Sequence, residues 1–415
     1  MSVPPDGDRT RGGDEPAAGS GLSRRSFLGY LGVGVAGAAV GAGATAAVGA
    51  AADGDGGDDV GAAVVAFHGA HQSGIETPPP AQAEFVAFDL PPDASTATVA
   101  SLLRDWTSLA AALSEGASHE LDPVPTLAGE PASLTVTFGF GPRLFDVIGK
   151  TGLRPPGVAD YPPFQHDELQ EEWSGGDLLA QVCAEDSVSV THASEALISA
   201  AAGRAALRWR QAGFGRTVGV AEGQTGRNLM GNKDGTGNDE PGTAAWDQTV
   251  WASAGPGVPD WYVGGTTLVV RRIRMDLEPW YAASLRTKER TIGRELESGA
   301  PLGTDDEFAD VPLQAQQPDG SLQIHSSAHV RLAHPDSNSG ARMFRRGWNY
   351  SDADGAGLIF VAINADSTTG FLPVQSRIAA GDDLNHFTTA IGSAAFAVPP
   401  GVAPGQYVGQ TLLEA

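Results

Sequence analysis

The chain has 415 residues and a formal net charge of -24, which disfavours binding to nucleic acid or to an anionic membrane surface. It contains one cysteine, Cys183, so an internal disulfide and a cysteine-rich zinc site are both excluded. We expect this cysteine to be a buried, small hydrophobic residue. The length exceeds that of one ordinary hydrophobic core and predicts two domains after removal of a leader.

Residues 1–52 are predicted to be a disordered start followed by an export signal. A polar start leads to SRRSFL at residues 23–28 and then to a mildly apolar Gly/Ala/Val stretch. Paired arginines before such a stretch are typical of a twin-arginine signal, and the small residues at 50–52 suit cleavage. We therefore expect export in folded form to the periplasm, the cell envelope or the medium. An uncleaved N-terminal anchor is the alternative.

A linker and a first α+β domain are predicted next. The acidic, glycine-rich residues 53–61 read as the linker, and residues 62–245 as the domain. Apolar runs and alternation predict strands, and helical spacing of the apolar residues predicts helices. The order of these elements indicates an antiparallel sheet with helices packed on it. The predicted strands are 62–67, 83–90, 134–140 and 177–183, and the predicted helices are 95–113, 144–148 and 191–206.

A second unit of similar order is predicted over residues 246–415, after a Gly/Pro-rich boundary at 241–259. Its predicted strands are 265–275, 357–363 and 394–398, and its predicted helix is 279–296. Two α+β units of comparable size follow from this pattern.

The stretch GNKDGTGN, residues 231–238, surrounds one carboxylate, Asp234, with glycines. Glycine adopts positive φ and lets a ligand touch the backbone, so the pattern indicates a tight loop against a large, flat ligand. The same residues also suit an ordinary surface turn. The loop alone leaves both interpretations open.

Two further groups could carry chemistry. His325 and His329 would share one face of a helix and could chelate a metal, although no glutamate follows His325 as in a zinc protease. One histidine alone could ligate haem iron if a partner fixed its orientation. Arg345 and Arg346 stand between apolar residues, a pattern that salt-bridged arginines beside a core aromatic residue would also produce.

Together these segments resemble the dye-decolourising peroxidase family. GNKDGTGN resembles its G-x-x-D-G motif, AHVRLAHP at 328–335 its proximal-histidine motif, and FRRGWNY at 344–350 its distal-arginine motif. The resemblance runs from about residue 67 to residue 400 and is strongest to the twin-arginine-exported branch, which includes deferrochelatase/peroxidases. Further matching segments are FHGAHQSGIETPPP, LTVTFGFGPRLFD, GGDLLAQVCAED and GTTLVVRRIRMDLEPW.

The resemblance implies an α+β fold of two ferredoxin-like domains that hold one b-type haem between sheet and helices. His329 would be the proximal iron ligand. Asp234 and Arg345 would lie on the opposite, peroxide-binding side, with Arg346 as the competing choice for the distal arginine. The other residues expected to contact the cofactor are Gly231, Lys233, Gly235, Thr236 and, through a haem propionate, Arg331.

The implied activity is peroxide-dependent, one-electron oxidation of bulky dyes, phenols or other aromatic reductants. A carboxylate is a much stronger acid than the histidine that relays the proton in plant peroxidases, so we expect an optimum at roughly pH 3.5 to 5. Because large dyes would not enter a pocket sized for peroxide, their electrons would reach the haem through a surface aromatic residue, unless these side chains belong to the core. The candidates are Trp280, Tyr281, Trp348 and Tyr350.

The chain departs from the family pattern at two places, one of which is AHP at residues 333–335, where relatives commonly have asparagine before the proline. The chain has His386 where relatives often carry an acid that supports the proximal histidine, and Asp382 or Asp383 could replace that acid. The alternatives to a peroxidase are a deferrochelatase, which removes iron and leaves the porphyrin intact, and a non-catalytic haem-binding or iron-uptake component. Expected partners are hydrogen peroxide and aromatic reductants, with iron-uptake components and a homo-oligomer as further options.

Overall fold

Eight strands form one closed antiparallel barrel in the computed structural model, which describes residues 60–215 and 225–415. The strands are β1 (Gln82–Asp89), β2 (Thr135–Phe140), β3 (Leu178–Ala184), β4 (Ala206–Phe214), β5 (Thr266–Met275), β6 (Phe344–Asp352), β7 (Gly355–Asn364) and β8 (Thr388–Val398).

The barrel consists of two four-stranded sheets with the same topology. Neighbouring strands follow the order β1-β3-β2-β8-β5-β7-β6-β4 around the barrel. The first half is therefore ordered β4-β1-β3-β2 and the second β8-β5-β7-β6, the ferredoxin-like arrangement in both. Two short seams close the barrel, where Phe140 pairs with Ala397 and Phe214 pairs with Asn349. The predicted α+β class with two ferredoxin-like units is confirmed.

Helices cover the outside of the sheets. α1 begins after Ser95, whose side chain accepts a hydrogen bond from the backbone N–H of Thr98 at 3.1 Å. Such a cap satisfies one of the free N–H groups in the first helical turn. The helices are α1 (Thr96–Ser114), α2 (Pro142–Val147), α3 (Ser187–Ala201), α4 (Ala244–Val250), α5 (Leu277–Ala282), α6 (Leu285–Ile292), α7 (His329–Ala333), α8 (Phe371–Gly381) and α9 (Gln410–Leu413).

The hydrophobic core has an inner and an outer part. Buried residues from both halves fill the barrel, including Phe85, Trp348 and Phe396. A second cluster lies between the first sheet and its helices, around Trp106 and Phe138. Since strands of both halves line the barrel interior, the two halves share one core. The domain boundary at residue 245 stays a prediction.

Most of the predicted strands are confirmed, and the exceptions have local causes. Residues 62–67 are not a strand, because this segment makes only isolated backbone hydrogen bonds, such as Ser133 N–H to the carbonyl of Ala63 at 2.6 Å. The sequence analysis missed β4, β6 and α8. β4 carries the arginines Arg208 and Arg210 on a half-exposed surface, where they pair with Asp89 and Glu84 and hide the alternation of the strand.

Two predicted helices differ from the structure at their ends. The helix predicted at 191–206 begins earlier because Asp186 caps it, and it ends before Gly203, whose φ is +76°. The helix predicted at 279–296 is divided into α5 and α6. Ser284 adopts an extended conformation and caps α6 by accepting from Thr287 N–H, and Gly293 ends that helix with a φ of +89°.

The predicted leader and almost all of the predicted linker lie outside the described residues. Within residues 60–215 and 225–415, the structure contains no helix that is both long and apolar enough to cross a membrane. Cys183 is fully buried in β3, as predicted.

Candidate functional site

His329 is the first residue of the short helix α7, and its ring is held by Asp382. The Nδ1–H group donates to Oδ2 of Asp382 over 2.6 Å, and the carboxylate side chain is completely buried. The other carboxylate oxygen accepts from the backbone N–H of Leu384 at 2.8 Å. With Nδ1 engaged, Nε2 is the ring nitrogen left to bind a metal.

Asp382, and not Asp383, is therefore the acid that supports the histidine. Asp383 instead faces Arg290, with 3.4 Å between its Oδ2 and the Nη1 of the arginine. His386 is exposed at the end of the 3-10 turn that follows Asp382. The supporting acid, Asp382, thus lies four residues before His386, the position where relatives often carry it.

Several charges act on His329. Burial lowers the pKa of its imidazole, but the charge and the hydrogen bond of Asp382 more than offset this effect, so the pKa is raised. Arg345 opposes that rise and Asp234 adds to it through their charges. Both groups therefore lie within electrostatic reach of His329, and the structure brings together the three residues that the sequence motifs singled out.

Asp234 lies exposed on a tight loop that a neighbouring segment holds in place. Gly231 and Gly235 have φ of +84° and +106°, a region that side chains other than glycine rarely adopt. The Arg227 guanidinium donates to the carbonyls of Gly231 at 2.7 Å and Leu296 at 2.6 Å. The carboxylate of Asp234 makes no hydrogen bond within the part of the chain that the structure describes.

Lys233 and Thr236 point to Glu307 on the neighbouring segment. The ammonium of Lys233 forms an ion pair with this carboxylate, and Thr236 Oγ1 donates to it at 2.9 Å. Burial raises the pKa of Glu307, but these hydrogen bonds, together with one from Thr225, outweigh burial and hold the pKa below its ordinary range. Both polar side chains that we expected at the cofactor are thus engaged in holding the loop.

The structure separates the two adjacent arginines because β6 alternates. Arg346 points into the barrel and donates to the carbonyls of Gly74 at 2.8 Å and Ile75 at 2.7 Å, and also to Thr77. Burial lowers its pKa to about 10. Arg345 is on the opposite face of the strand, beside the Asp234 loop. The assignment of the distal position to Arg345 fits this geometry.

Arg331 is also occupied by backbone groups. Its Nη2 donates to the carbonyls of Leu313 at 2.6 Å and Ile324 at 2.9 Å, and its Nε donates to the carbonyls of Ile324 and His325. This side chain therefore anchors the segment that precedes α7. Its expected pairing with a haem propionate has no support in these contacts.

His325 and His329 do not share a helical face. His325 precedes α7, and its ring nitrogens face the guanidinium of Arg290 and the hydroxyl of Ser327 at 2.7 Å. The interpretation of the two histidines as a metal-chelating pair is wrong for this reason. Among the described residues, no group of three or more His, Cys, Asp or Glu side chains is arranged to hold a metal ion.

An apolar cluster lies next to the Asp234 loop and to Asp382, the partner of His329. Met230 precedes the loop, Met275 ends β5, and Leu384 and Phe387 follow Asp382. A histidine with one free nitrogen and an adjoining apolar cluster are the groups that a haem with a single imidazole ligand requires, and a carboxylate and an arginine suit peroxide chemistry beside it. The residues present fit this cofactor.

Family comparison identifies the chain. The model of the Dyp-type peroxidase N-terminal domain matches residues 72–215, and the model of the C-terminal domain matches residues 225–403. The chain belongs to the Dyp-type peroxidase family. It is an α+β haem peroxidase, with hydrogen peroxide and a reductant as its substrates.

Individual relatives cover most of this peroxidase. A dye-decolorizing peroxidase of Thermobifida fusca is 44% identical over 362 residues, which is 83% of this chain and 84% of the relative. A deferrochelatase of Yersinia pestis is 35% identical over 84% of this chain and 85% of its own length. The crystal structure of a DyP-type peroxidase from Cellulomonas bogoriensis superposes with a TM-score of 0.82 at 41% identity, covering 86% of this chain and 99% of that one.

The sequence analysis missed several residues that shape the site. Glu307 holds the Asp234 loop, Asn238 contacts Arg345, and Arg294 lies close enough to Arg345 for that charge to lower its pKa, after the larger effect of burial. Asn238 is the last residue of the GNKDGTGN motif, but its uncharged amide gave no signal of a contact with an arginine. Glu307 lies in a long segment with no regular pattern, and no sequence signal indicated it.

Proposed function

We propose that this peroxidase activates hydrogen peroxide between Asp234 and Arg345, on the side of the haem opposite His329. The observation that carries the proposal is that the charges of Asp234 and Arg345 both act on His329, while the reactive groups of all three residues remain free. Nε2 of His329 is available as the ligand, and the carboxylate of Asp234 has no partner in the described residues. Arg345 faces the same space from β6.

Each residue has a separate task. Bound haem supplies the redox chemistry that cleaves the O–O bond and oxidises reductants in one-electron steps. Asp234 accepts the proton from one peroxide oxygen and returns it to the departing oxygen, directly or through one water. The guanidinium of Arg345 stabilises the negative charge that develops there. Asp382 keeps the imidazole of His329 oriented and electron-rich.

We further propose that the enzyme works best at acidic pH, in the range of roughly pH 3.5 to 5. A carboxylate matches proton transfer to that range, whereas an imidazole suits neutral solution. The low pKa of Glu307 supports this proposal, because the pair that holds the loop then stays ionised when the solution becomes acidic. The loop would thus retain its shape where Asp234 is most effective.

The proposed reductants are bulky aromatic compounds that are oxidised at the protein surface. Of the four aromatic candidates, Trp280, Trp348 and Tyr350 are buried, with exposures of 0%, 1% and 1%, while Tyr281 is 57% exposed. Its neighbour Trp280 donates through Nε1 to the carbonyl of Met230, just before the Asp234 loop, at 2.8 Å. Tyr281 is therefore the surface residue at which we propose that electrons from the reductant enter the protein.

A deferrochelatase is the second candidate function. It is favoured by the relatives of that name that are about one-third identical over most of the chain. Under this reading, the same site releases iron from haem and delivers it to iron-uptake components. Formation of protoporphyrin from haem without peroxide would support it, and its absence at enzyme concentrations that show peroxidase turnover would exclude it.

We also propose that the protein is exported by the twin-arginine pathway and reaches the periplasm, the cell envelope or the medium. The support is the SRRSFL sequence and the mildly apolar stretch that follows. Replacing both arginines with lysine should retain the protein in the cytoplasm. Export of that variant at the normal rate would contradict the proposal.

One experiment tests the site and the activity together. The full chain, His329→Ala and His325→Ala are produced with haem, and the Soret band and peroxide-dependent oxidation of an anthraquinone dye are measured from pH 3 to 8. We expect normal haem binding and acidic activity for the full chain and for His325→Ala, and loss of both for His329→Ala. A full chain that takes up no haem would refute the proposal.

A further inference from the structure

The side chain of Asn238 makes three contacts with Arg345, although 107 residues separate them. Its Oδ1 accepts from the backbone N–H of Arg345 at 3.0 Å, and its Nδ2 donates to the backbone carbonyl at 2.8 Å. The same Oδ1 lies 3.4 Å from the guanidinium Nε. One amide side chain thus binds both the main chain and the functional group of the arginine.

This contact satisfies the backbone N–H and C=O groups of Arg345 at one edge of β6. In an antiparallel strand, the N–H and C=O groups of one residue point to the same edge. One edge of β6 pairs with β7 along its length, and the other pairs with β4 at Asn349 alone. Within residues 60–215 and 225–415, no strand lies beside this second edge at Arg345, and the amide of Asn238 supplies the donor and the acceptor that a neighbouring strand would supply.

The loop also fixes where the guanidinium lies. A Cβ atom added to Gly237 would be 3.3 Å from Nη2 of Arg345, which is closer than most such contacts, so the guanidinium rests against this glycine. With Nε near Asn238 and Nη2 against Gly237, the orientation of the group is defined. In the part of the chain that the structure describes, its terminal nitrogens make no hydrogen bond and remain available to a ligand.

Asp234 immediately precedes the short turn 235–238, which Asn238 closes. The backbone N–H of Asn238 donates to the carbonyl of Gly235 at 3.0 Å, and that of Asp234 donates to the carbonyl of Gly226 at 3.0 Å. The residue that holds the arginine is thus tied to the residue that carries the carboxylate. The separation between the acid and the arginine is set by this turn and by the Asn238 amide.

We propose that Asn238 is a positioning residue that keeps the Arg345 guanidinium aligned with Asp234 for anion and peroxide binding. The proposal rests on the function proposed above and assigns to an uncharged residue the distance between its two distal groups. Loss of alignment of about an ångström at a reacting centre is enough to slow an enzyme by about 100-fold. Asn238 would therefore influence the reaction without touching the substrate.

The neighbouring residue Asp239 provides a matched control. It also joins the loop to the start of β6, through an ion pair with Arg342 at 3.0 Å, but it makes no contact with Arg345. Truncating Asp239 thus removes a stabilising contact between the same two segments. An effect that is specific to alignment should appear for Asn238→Ala and not for Asp239→Ala.

The test measures fluoride binding to the ferric holoenzyme by optical titration, together with the rate constant for reaction with peroxide and the KM for the reductant. We expect Asn238→Ala to weaken fluoride binding by about 10-fold, the scale of one hydrogen bond to a charged group. The peroxide rate constant should fall by about 10- to 100-fold while the KM for the reductant is unchanged. Asp239→Ala should leave both fluoride affinity and peroxide rate within twofold of wild type.

A double-mutant cycle separates positioning from stability. In an Arg345→Leu background, Asn238→Ala should add no further loss, because the group that it positions is gone. Gly237→Ala is a second variant that disturbs the guanidinium and keeps both contacts of Asn238 with the Arg345 backbone, and it should also weaken fluoride binding only when Arg345 is present. Equal effects of Asn238→Ala and Asp239→Ala, or a full Asn238→Ala effect without Arg345, would overturn the proposal. A wild type that binds fluoride but does not react with peroxide would instead refute the proposed function.

Discussion

The Nδ1–H of His329 donates to a completely buried carboxylate, Asp382, over 2.6 Å. The two residues lie on different elements, at the start of α7 and immediately after α8. A charged acceptor pulls the proton of the ring and makes the other nitrogen a stronger electron donor. This pair therefore sets the character of the proposed proximal ligand, and Asp382 provides the acid that the chain lacks at His386.

Asp382→Asn should raise the reduction potential of the haem iron. Asparagine can still accept from His329 through its oxygen, but it has no charge, so the imidazole donates less electron density and the ferric state is less favoured. Spectroelectrochemical titration measures the potential. Asp383→Asn removes the neighbouring carboxylate, which faces Arg290, and should leave the potential unchanged. Equal potentials in wild type and Asp382→Asn would contradict the assignment.

Replacing Arg345 should mainly reduce activity, whereas replacing Arg346 should mainly reduce stability. Arg345→Leu should lower kcat/KM for peroxide by about 100- to 1,000-fold, the usual cost of removing a group that stabilises developing charge, with stability nearly unchanged. Arg346→Leu should lower the free energy of unfolding by about 3 kcal/mol or more, because three carbonyls of the 74–77 segment, two of them buried, lose their donor. Steady-state kinetics and urea unfolding distinguish these results, and the reverse pattern would exchange the roles.

Glu307 should make the stability of the Asp234 loop depend on pH. Its pKa is lower in the folded protein than in the unfolded chain, so its contribution is fully present above the ordinary glutamate pKa of about 4.3. That contribution is lost as pH falls through the lower, folded value. Glu307→Gln should therefore melt below wild type at pH 7, and the difference should shrink in acid below about pH 4.

The control for this prediction is Glu172→Gln, which replaces an exposed acid on a 3-10 turn far along the chain from the loop. Its melting temperature should follow that of wild type at every pH. Calorimetry from pH 7 to pH 3 measures all three proteins. A constant difference between wild type and Glu307→Gln across that range would show that the carboxylate does not act through its ionisation.

Tyr281→Phe should slow the oxidation of bulky dyes and leave the reaction with peroxide unchanged. The ring is 57% exposed, and its hydroxyl donates to the carbonyl of Leu229 at 2.8 Å, so phenylalanine keeps the shape and removes the group that is easily oxidised. Stopped-flow kinetics separates the peroxide step from dye turnover. An unchanged dye rate would exclude Tyr281 as the residue that accepts electrons from the dye.

The sequence predicted two α+β units of comparable size and the three residues of the proposed site, because each of these residues stands in a specific motif. It did not reveal β6 as a strand, although Arg345 and Arg346 lie on it. Two adjacent arginines hide the alternation of a strand whose inward-facing Arg346 is satisfied by carbonyls from the 74–77 segment. Because side chains alternate along β6, the two arginines lie on opposite faces of the strand, which the sequence did not show.

Contacts between residues far apart in the sequence could not be predicted either. Lys233 and Thr236 were predicted to contact the cofactor because they flank Asp234, but their partner Glu307 lies about 70 residues away in a segment without periodic pattern. Asp382 was one of two open choices, which only the packing of α7 against α8 distinguished. Local pattern predicts elements and motifs, whereas such partners depend on how the elements pack.

The most direct test of the account is the rate of peroxide reaction in Asp234→Asn, measured by stopped flow at about pH 4 on protein with a full complement of haem. Asparagine has nearly the same shape but accepts no proton, so the rate constant should fall by about 100- to 10,000-fold while the Soret spectrum remains that of wild type. A variant that binds haem normally and reacts with peroxide at the wild-type rate would contradict the role of Asp234, and with it the proposed mechanism.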